Sequence, residues 1–154
     1  MVTHLVFLTE DGRQRAIEQL EFLTTVKRAE VARYLQDAID AGDVIDNAAY
    51  EDAKNAQIRL EGRIQELEQM LATAQTISNI STQEISLGSL VSVRAADGSE
   101  HQYTLVGAYE AQPAAGLISN ESPVGQALLG RKVGDTVTAS TPGGIKVYTI
   151  LSIA

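Results

Sequence analysis

Two different periods of apolar residues divide the chain. In the stretch from Tyr50 to Ala74, the positions Tyr50, Ala53, Gln57, Leu60, Ile64, Leu67, Leu71 and Ala74 recur at alternating spacings of three and four. That spacing is a heptad seam, interrupted by one polar residue, and it predicts a long helix that buries a narrow stripe. Upstream, Ile17, Leu20, Leu23, Val31, Leu35 and Ala38 trace a second stripe on a helix opening after Thr9, whose hydroxyl suits an N-cap. Between the two lies Ala41-Gly42-Asp43-Val44-Ile45-Asp46-Asn47. Gly42 can stop the first helix, and Asp43, Asp46 or Asn47 can cap the second. Two long helices joined by so short a connection pack antiparallel. At ~1.5 Å per residue the hairpin from Thr9 to Gly42 is expected to project roughly 50 Å.

Beyond residue 80 the period changes from three-and-four to two. Leu90-Val91-Ser92-Val93 alternates, Asp97-Gly98 supplies a hairpin turn, and Tyr103-Thr104-Leu105-Val106 returns. A further strand is expected at Gly116-Leu117-Ile118-Ser119. Ser122-Pro123 opens a short helix that Gly130 ends. Val137 and Ala139 alternate with threonines and Ser140, and Thr141-Pro142-Gly143-Gly144 turns the chain into a last strand, Ile145 to Ile153. The expected class is α+β: an N-terminal antiparallel helical hairpin over 1–79, with its tip at 42–47, followed by an antiparallel sheet domain with one helix over 80–154. All three prolines and most of the twelve glycines fall in the second part, which supports a boundary near residue 80.

Composition narrows the chemistry. The 154 residues carry 12 basic and 20 acidic side chains, a net charge of −8. So acidic a chain is a poor wrapper of duplex DNA, and stable binding to free DNA is not expected. No run approaches the ~20 apolar residues of a membrane span, and the N-terminus lacks the basic flank of a secretory signal. A cytoplasmic location is therefore expected. With no cysteine and with His4 and His101 far apart, neither a thiolate nor a histidine metal site is available. There is no Ser–His–Asp set, P-loop or dinucleotide fingerprint.

The pair Asp43 and Asp46, with Asp40 one turn earlier, stands out at the end of the hairpin. The two acids suit capping or solvation, but carboxylates also suit Mg²⁺, which takes only one or two from a single protein. Such a tip can complete a metal site in another macromolecule. Lys27, Arg28, Arg33, Arg59 and Arg63 read as solvated or weakly paired cations. Lys54, near the tip, is the candidate for touching a polyanion.

Several segments carry a resemblance. Val26-Lys27-Arg28, Gly42-Asp43-Val44-Ile45-Asp46-Asn47-Ala48-Ala49-Tyr50 and Glu61-Gly62-Arg63-Ile64 resemble segments of Gre-type factors (GreA and GreB). So do Ser122 to Gly130, Val133-Gly134-Asp135 and Thr141-Pro142-Gly143-Gly144, in the same order, from about Leu8 to Ile153. The resemblance implies a bacterial transcription elongation factor, not itself an enzyme, whose partners are RNA polymerase and backtracked nascent RNA. It implies a coiled coil that enters the polymerase secondary channel and an FKBP-like C-terminal domain that docks at the rim. Asp43 and Asp46 would then help hold Mg²⁺ in the polymerase active site and stimulate RNA cleavage, with Lys54 approaching the RNA. No cofactor is expected to bind stably outside that complex. Asp46 stands where the family usually has Glu, Ile45 where it has a polar residue, and Ala49, Ile39 and Ala29 where it often has Glu, Arg and Pro. The alternative implied by those departures is a Gre-like inhibitor that occupies the channel without promoting cleavage. An FKBP-like fold also raises prolyl isomerisation, for which Tyr103, Tyr109 and Tyr148 are a thin aromatic set.

Overall fold

The heptad seam lands on the packed face of one long helix, α3 (Ala48–Thr73). Ala53, Ile64 and Leu67 are buried, while Tyr50, Gln57, Leu60 and Leu71 are half-buried on the same stripe. The computed structural model describes residues 5–42, 47–78 and 80–154. Within it, the partner of α3 is a continuous helical segment made of α1 (Glu10–Phe22), one π-helical turn at Leu23–Lys27, and α2 (Arg28–Asp40). Arg28 pairs with Glu61, and the Asn47 side chain reaches the carbonyl of Ala38. One residue number falls as the other rises, which is the antiparallel hairpin that the two periods predict.

The π-helical turn is bordered by side-chain bonds to the backbone. The Arg28 N–H donates to the Leu23 carbonyl, five residues back. Beside it, the Thr24 hydroxyl donates to Leu20 (2.9 Å) and the Thr25 hydroxyl to Glu21 (2.7 Å), so carbonyls near the widened turn are satisfied by side chains. Upstream of this turn the inward row is not the expected one. Ile17 is 43 % exposed, and Ala16 is buried in its stead. At ~100° per residue, Ala16 lies closer in angle to Leu20 than Ile17 does, so the smaller residue faces inward.

The contacts divide the chain into two units, Arg13–Thr73 and a second that joins the residues up to Gly12 with those from Ala74 onward. This division does not follow the change of composition at 79/80, because the N-terminal segment is bound into the sheet unit. Strand β1 (Phe7–Leu8) pairs in parallel with β2 (Gln75–Thr76), and Leu8 is fully buried. Thr9 then begins α1 as expected, its hydroxyl accepting the Gly12 N–H at 3.0 Å. Unexpectedly, Glu110 closes the same corner. Its buried carboxylate accepts the Thr9 N–H (2.7 Å) and the Thr9 hydroxyl (2.6 Å). Gly12 is glycine for a steric reason, since a Cβ there would overlap that carboxylate.

The main sheet of this unit is five-stranded, in the order β5-β4-β3-β7-β6. Its strands are β3 (Leu90–Ala95), β4 (Glu100–Val106), β5 (Leu117–Ser119), β6 (Thr136–Thr141) and β7 (Gly144–Ile153). The β3–β4 turn is the predicted Asp97-Gly98, with Gly98 at φ 87° and the Asp97 carboxylate accepting the Ser99 N–H. Three pairings are antiparallel, but β5 lies parallel to β4, a departure from an all-antiparallel sheet. Two short 3-10 turns, Ala108–Glu110 and Pro113–Ala115, fill the connection between them. That length allows the crossover a parallel pair needs. The alternating residues Val91, Val93, Leu105, Val137 and Ile150 face one core, covered by Leu128 of α4 (Pro123–Leu128). No described helix is long and apolar enough to cross a membrane.

Candidate functional site

The hairpin tip is built outward from Asn47. Its side-chain oxygen accepts the N–H groups of Ala49 (3.0 Å) and Tyr50 (3.3 Å), the free donors of the first turn of α3. Its amide nitrogen donates to the Ala38 carbonyl at 2.7 Å, and so satisfies an acceptor near the end of α2. One side chain thus caps one helix and fastens it to the other. Of the three capping candidates, Asn47 does this work. Asp43 and Asp46 lie outside the described residues, with Val44 and Ile45. Asn47→Ala is expected to lower stability by about 1 kcal/mol, the usual worth of a cap, measured by urea unfolding.

The flanks of the tip are open. Asp40 is exposed and accepts from the Gln36 amide at 2.9 Å. Ile39 is also exposed, while Ala38 and Ala53 are buried where the helices meet. Lys54 is exposed, its ammonium only 3.4 Å from the Gln57 side-chain oxygen, an exposed bond that another acceptor can replace. Among the described residues no three His, Asp or Glu side chains gather at metal-binding distance.

Farther from the tip three cations are committed to partners. Lys27 pairs with Glu30 (2.9 Å) and Arg63 with Glu66 (3.4 Å), each one turn along its own helix. Arg28 makes the stronger arrangement, a two-pronged bond across the hairpin. Its Nε and Nη2 each lie 2.9 Å from a Glu61 carboxylate oxygen. The hydrogen bond from Arg28 holds the Glu61 carboxyl below its ordinary range, and the same bond raises the guanidinium. The crosspiece is therefore intact above the usual carboxylate range and is lost as pH falls through Glu61's lowered value.

In the sheet unit His101, Tyr103 and Tyr148 pack on one another. Tyr103 and Tyr148 meet edge to face at 6.1 Å, and His101 stacks on Tyr103 at 6.0 Å. Burial, and then the neighbouring Tyr148 hydroxyl, push the Tyr103 phenol up to about 12. A surface pocket of ≈ 210 Å³ nearby has Tyr148 as its one aromatic. That is not the aromatic-lined pocket prolyl isomerisation wants.

Sequence alone names Asp43, Asp46 and Lys54 as candidates, and does not disclose the double role of Asn47 or the clasp at Glu110. Asn47 carried a signal, standing one residue before α3. Glu110 carried none, since its partners lie about a hundred residues away.

Comparison with known proteins bears on the whole chain. Residues 6–76 match the family described as "Transcription elongation factor, N-terminal", and residues 80–154 match "Transcription elongation factor, GreA/GreB, C-term". The chain is 47% identical over 150 residues to the transcription elongation factor GreA of Chloroflexus aggregans, covering 96% of both. It is 48% identical over 151 residues to that of Roseiflexus castenholzii, again over 96% of each. Among solved structures it is similar to the GreA factor homolog 1 of Thermus thermophilus, at 32% identity, covering 98% of this chain and 99% of that one, with a TM-score of 0.45. With both halves matched in order and close to half of all positions identical, the chain belongs to the GreA/GreB family of transcription elongation factors.

Proposed function

We propose that this factor binds RNA polymerase, inserts its helical hairpin into the secondary channel, and stimulates cleavage of backtracked RNA through Asp43 and Asp46. The observation that carries the reading is the build of the tip. Capping of α3 falls to Asn47, and the sequence between α2 and α3 carries two acids three residues apart. Family membership supports the partner, and the chain acts as a factor for a hydrolysis that resides in polymerase.

The donor chemistry fits Mg²⁺, a hard cation that takes carboxylate oxygens and needs about six ligands. Two aspartates fall short of that number, which suits an ion shared with the polymerase and the RNA and not one held by this chain alone. When bound there, Mg²⁺ supplies water activation and charge neutralisation for in-line phosphodiester hydrolysis. Asp43 and Asp46 contribute carboxylate oxygens, and Asn47 fixes the root of the segment that bears them. Lys54, exposed and loosely bonded, offers an ammonium to an RNA phosphate.

The test uses stalled, backtracked complexes of the cognate polymerase with RNA labelled at its 5′ end. The expected result is Mg²⁺-dependent shortening of the transcript, with release of short 3′ fragments and resumed elongation. A protein that slows elongation and releases no fragment is the channel-occupying inhibitor instead. Asp46 in place of the usual Glu, and the exposed Ile39 in place of Arg, are the features that favour that second outcome.

A further inference from the structure

The bond from Asn47 to Ala38 closes a short circuit of chain. α2 ends at Asp40, the Ala41 N–H returns to the Asp37 carbonyl (3.1 Å), and Gly42 and four further residues lead to Asn47. The last carbonyls of a helix find no partner in a next turn, and that of Ala38 is one of them. Ala38 is only 3 % exposed, so water has little access to it. The Asn47 amide takes the place of water at 2.7 Å. Asp43 and Asp46 both lie in sequence between the two bonded residues.

The two ends of the Asn47 side chain do separable work. Its oxygen accepts the Ala49 and Tyr50 N–H groups and so serves α3 alone. Its nitrogen serves the joint between the helices. Serine and aspartate cap a helix about as well as asparagine, so the work of the oxygen is replaceable. The work of the nitrogen is not. A serine side chain is too short to hold both bonds, and aspartate has no N–H and sets an oxygen against the Ala38 carbonyl.

Among the described residues no other polar bond braces this end of the hairpin. Asp40 bonds to Gln36 and Lys54 to Gln57, each within its own helix, and Ala38 and Ala53, buried where the helices meet, have no polar side chain. Toward the base the next polar bond across the hairpin is Arg28 to Glu61, fourteen residues along α3 from Asn47 and roughly 21 Å away at ~1.5 Å per residue. Both acids are aspartates, whose carboxylates sit close to the backbone and follow its position with little freedom to swing. A glutamate has one more methylene with which to make up an error of placement.

We infer that Asn47 is a positioning residue for RNA cleavage, its amide bond to Ala38 fixing the backbone that carries Asp43 and Asp46, apart from its capping of α3. This rests on the reading that those acids act in cleavage. Groups that orient a catalytic shell matter through placement, and an error of about 1 Å costs on the order of 100-fold in rate.

The experiment compares Asn47→Ser, Asn47→Asp and Asn47→Ala in the full chain. Urea unfolding, affinity for the cognate polymerase, and single-turnover cleavage of backtracked complexes at saturating factor are measured for each. Asn47→Ser and Asn47→Asp are expected to keep the parent's unfolding midpoint and affinity while their saturated cleavage rate falls by about tenfold or more. One variant is neutral and the other negative, so a loss common to both is not an effect of charge. Asn47→Ala is expected to lose both unfolding midpoint and cleavage. A residue that serves only the fold shifts the midpoint or the amount of factor needed and leaves the saturated rate alone. A saturated rate in Asn47→Ser and Asn47→Asp within about threefold of the parent therefore overturns the positioning role and leaves the proposed function standing. A parent that binds polymerase and releases no fragment removes the cleavage reading, and this inference with it.

Discussion

Asp43→Ala is expected to cut the rate of fragment release from backtracked complexes by about 100-fold or more while leaving affinity for polymerase close to that of the parent. A displacement of about 1 Å in a catalytic group already costs on the order of 100-fold, and removing the carboxylate altogether is the harsher change. Asp46→Asn separates charge from shape. It keeps the size of the side chain and an oxygen that can accept, but discards the negative charge that a divalent cation draws on. Loss of cleavage in Asp46→Asn with retained binding assigns the defect to charge. Asp46→Glu tests reach, since it keeps the charge and lengthens the arm by one methylene. Cleavage that rises in Asp46→Glu identifies the shorter arm as the reason for any weakness of the parent. Single-turnover cleavage at saturating factor gives these rates, and unchanged cleavage in Asp43→Ala would remove the tip from the chemistry.

Gly125→Ala has the largest effect expected on the fold itself, a loss of about 3 kcal/mol, the upper end of what overpacking costs. A Cβ at Gly125 overlaps the backbone carbonyl of Ser119. Nothing there can give way cheaply. The Ser119 carbonyl accepts both the N–H (3.1 Å) and the hydroxyl (2.6 Å) of Ser122, and Ser119 itself is held in register with Val106 of β4. The Ser122 hydroxyl in turn accepts the Gly125 N–H at 3.1 Å as the cap of α4. Urea unfolding measures the loss, and a change below about 0.5 kcal/mol would contradict it. Gly62→Ala supplies the opposite sign in the same assay, a gain of roughly 1 kcal/mol at a helix position with open space. Two glycine-to-alanine changes with opposite outcomes separate steric need from helix propensity.

Features that repeat along the chain were legible, and features that depend on distant partners were not. The seam from Tyr50 to Leu71 follows from spacing alone, as do the alternating strands and the Asp97-Gly98 turn. Thr9 was readable as a cap because a cap needs only its next few residues. The β1–β2 pair escaped notice because each strand is two residues long and nothing local marks Gln75-Thr76 as extended. The parallel placement of β5 escaped for a related reason, since strand direction depends on a crossover and not on the strand's own residues. The shift of the stripe from Ile17 to Ala16 reflects angular position on the helix, which hydrophobicity alone ranks wrongly. At the tip, residue types suggested carboxylate chemistry, and resemblance gave it a destination. Asn47's reach to Ala38 needed the folded hairpin to be seen.

The short β1–β2 ladder has a consequence for the order in which the chain assembles. Its two strands are separated by the entire helical hairpin, so pairing them from an unfolded chain closes a very long loop, at roughly 4 kcal/mol from the logarithmic part of the entropy alone. The two backbone bonds flanking the ladder, from Gln75 to Val6 and from Ile77 to Leu8, do not by themselves offset that. Once the helices have zipped, a local process, they bring Thr9 and Ala74 toward each other and most of that entropy is already lost. On this loop-closure argument the ladder, the Leu8 side chain and the Thr9–Glu110 clasp are expected to close after the two helices have zipped, the N-terminal strand joining the sheet unit last.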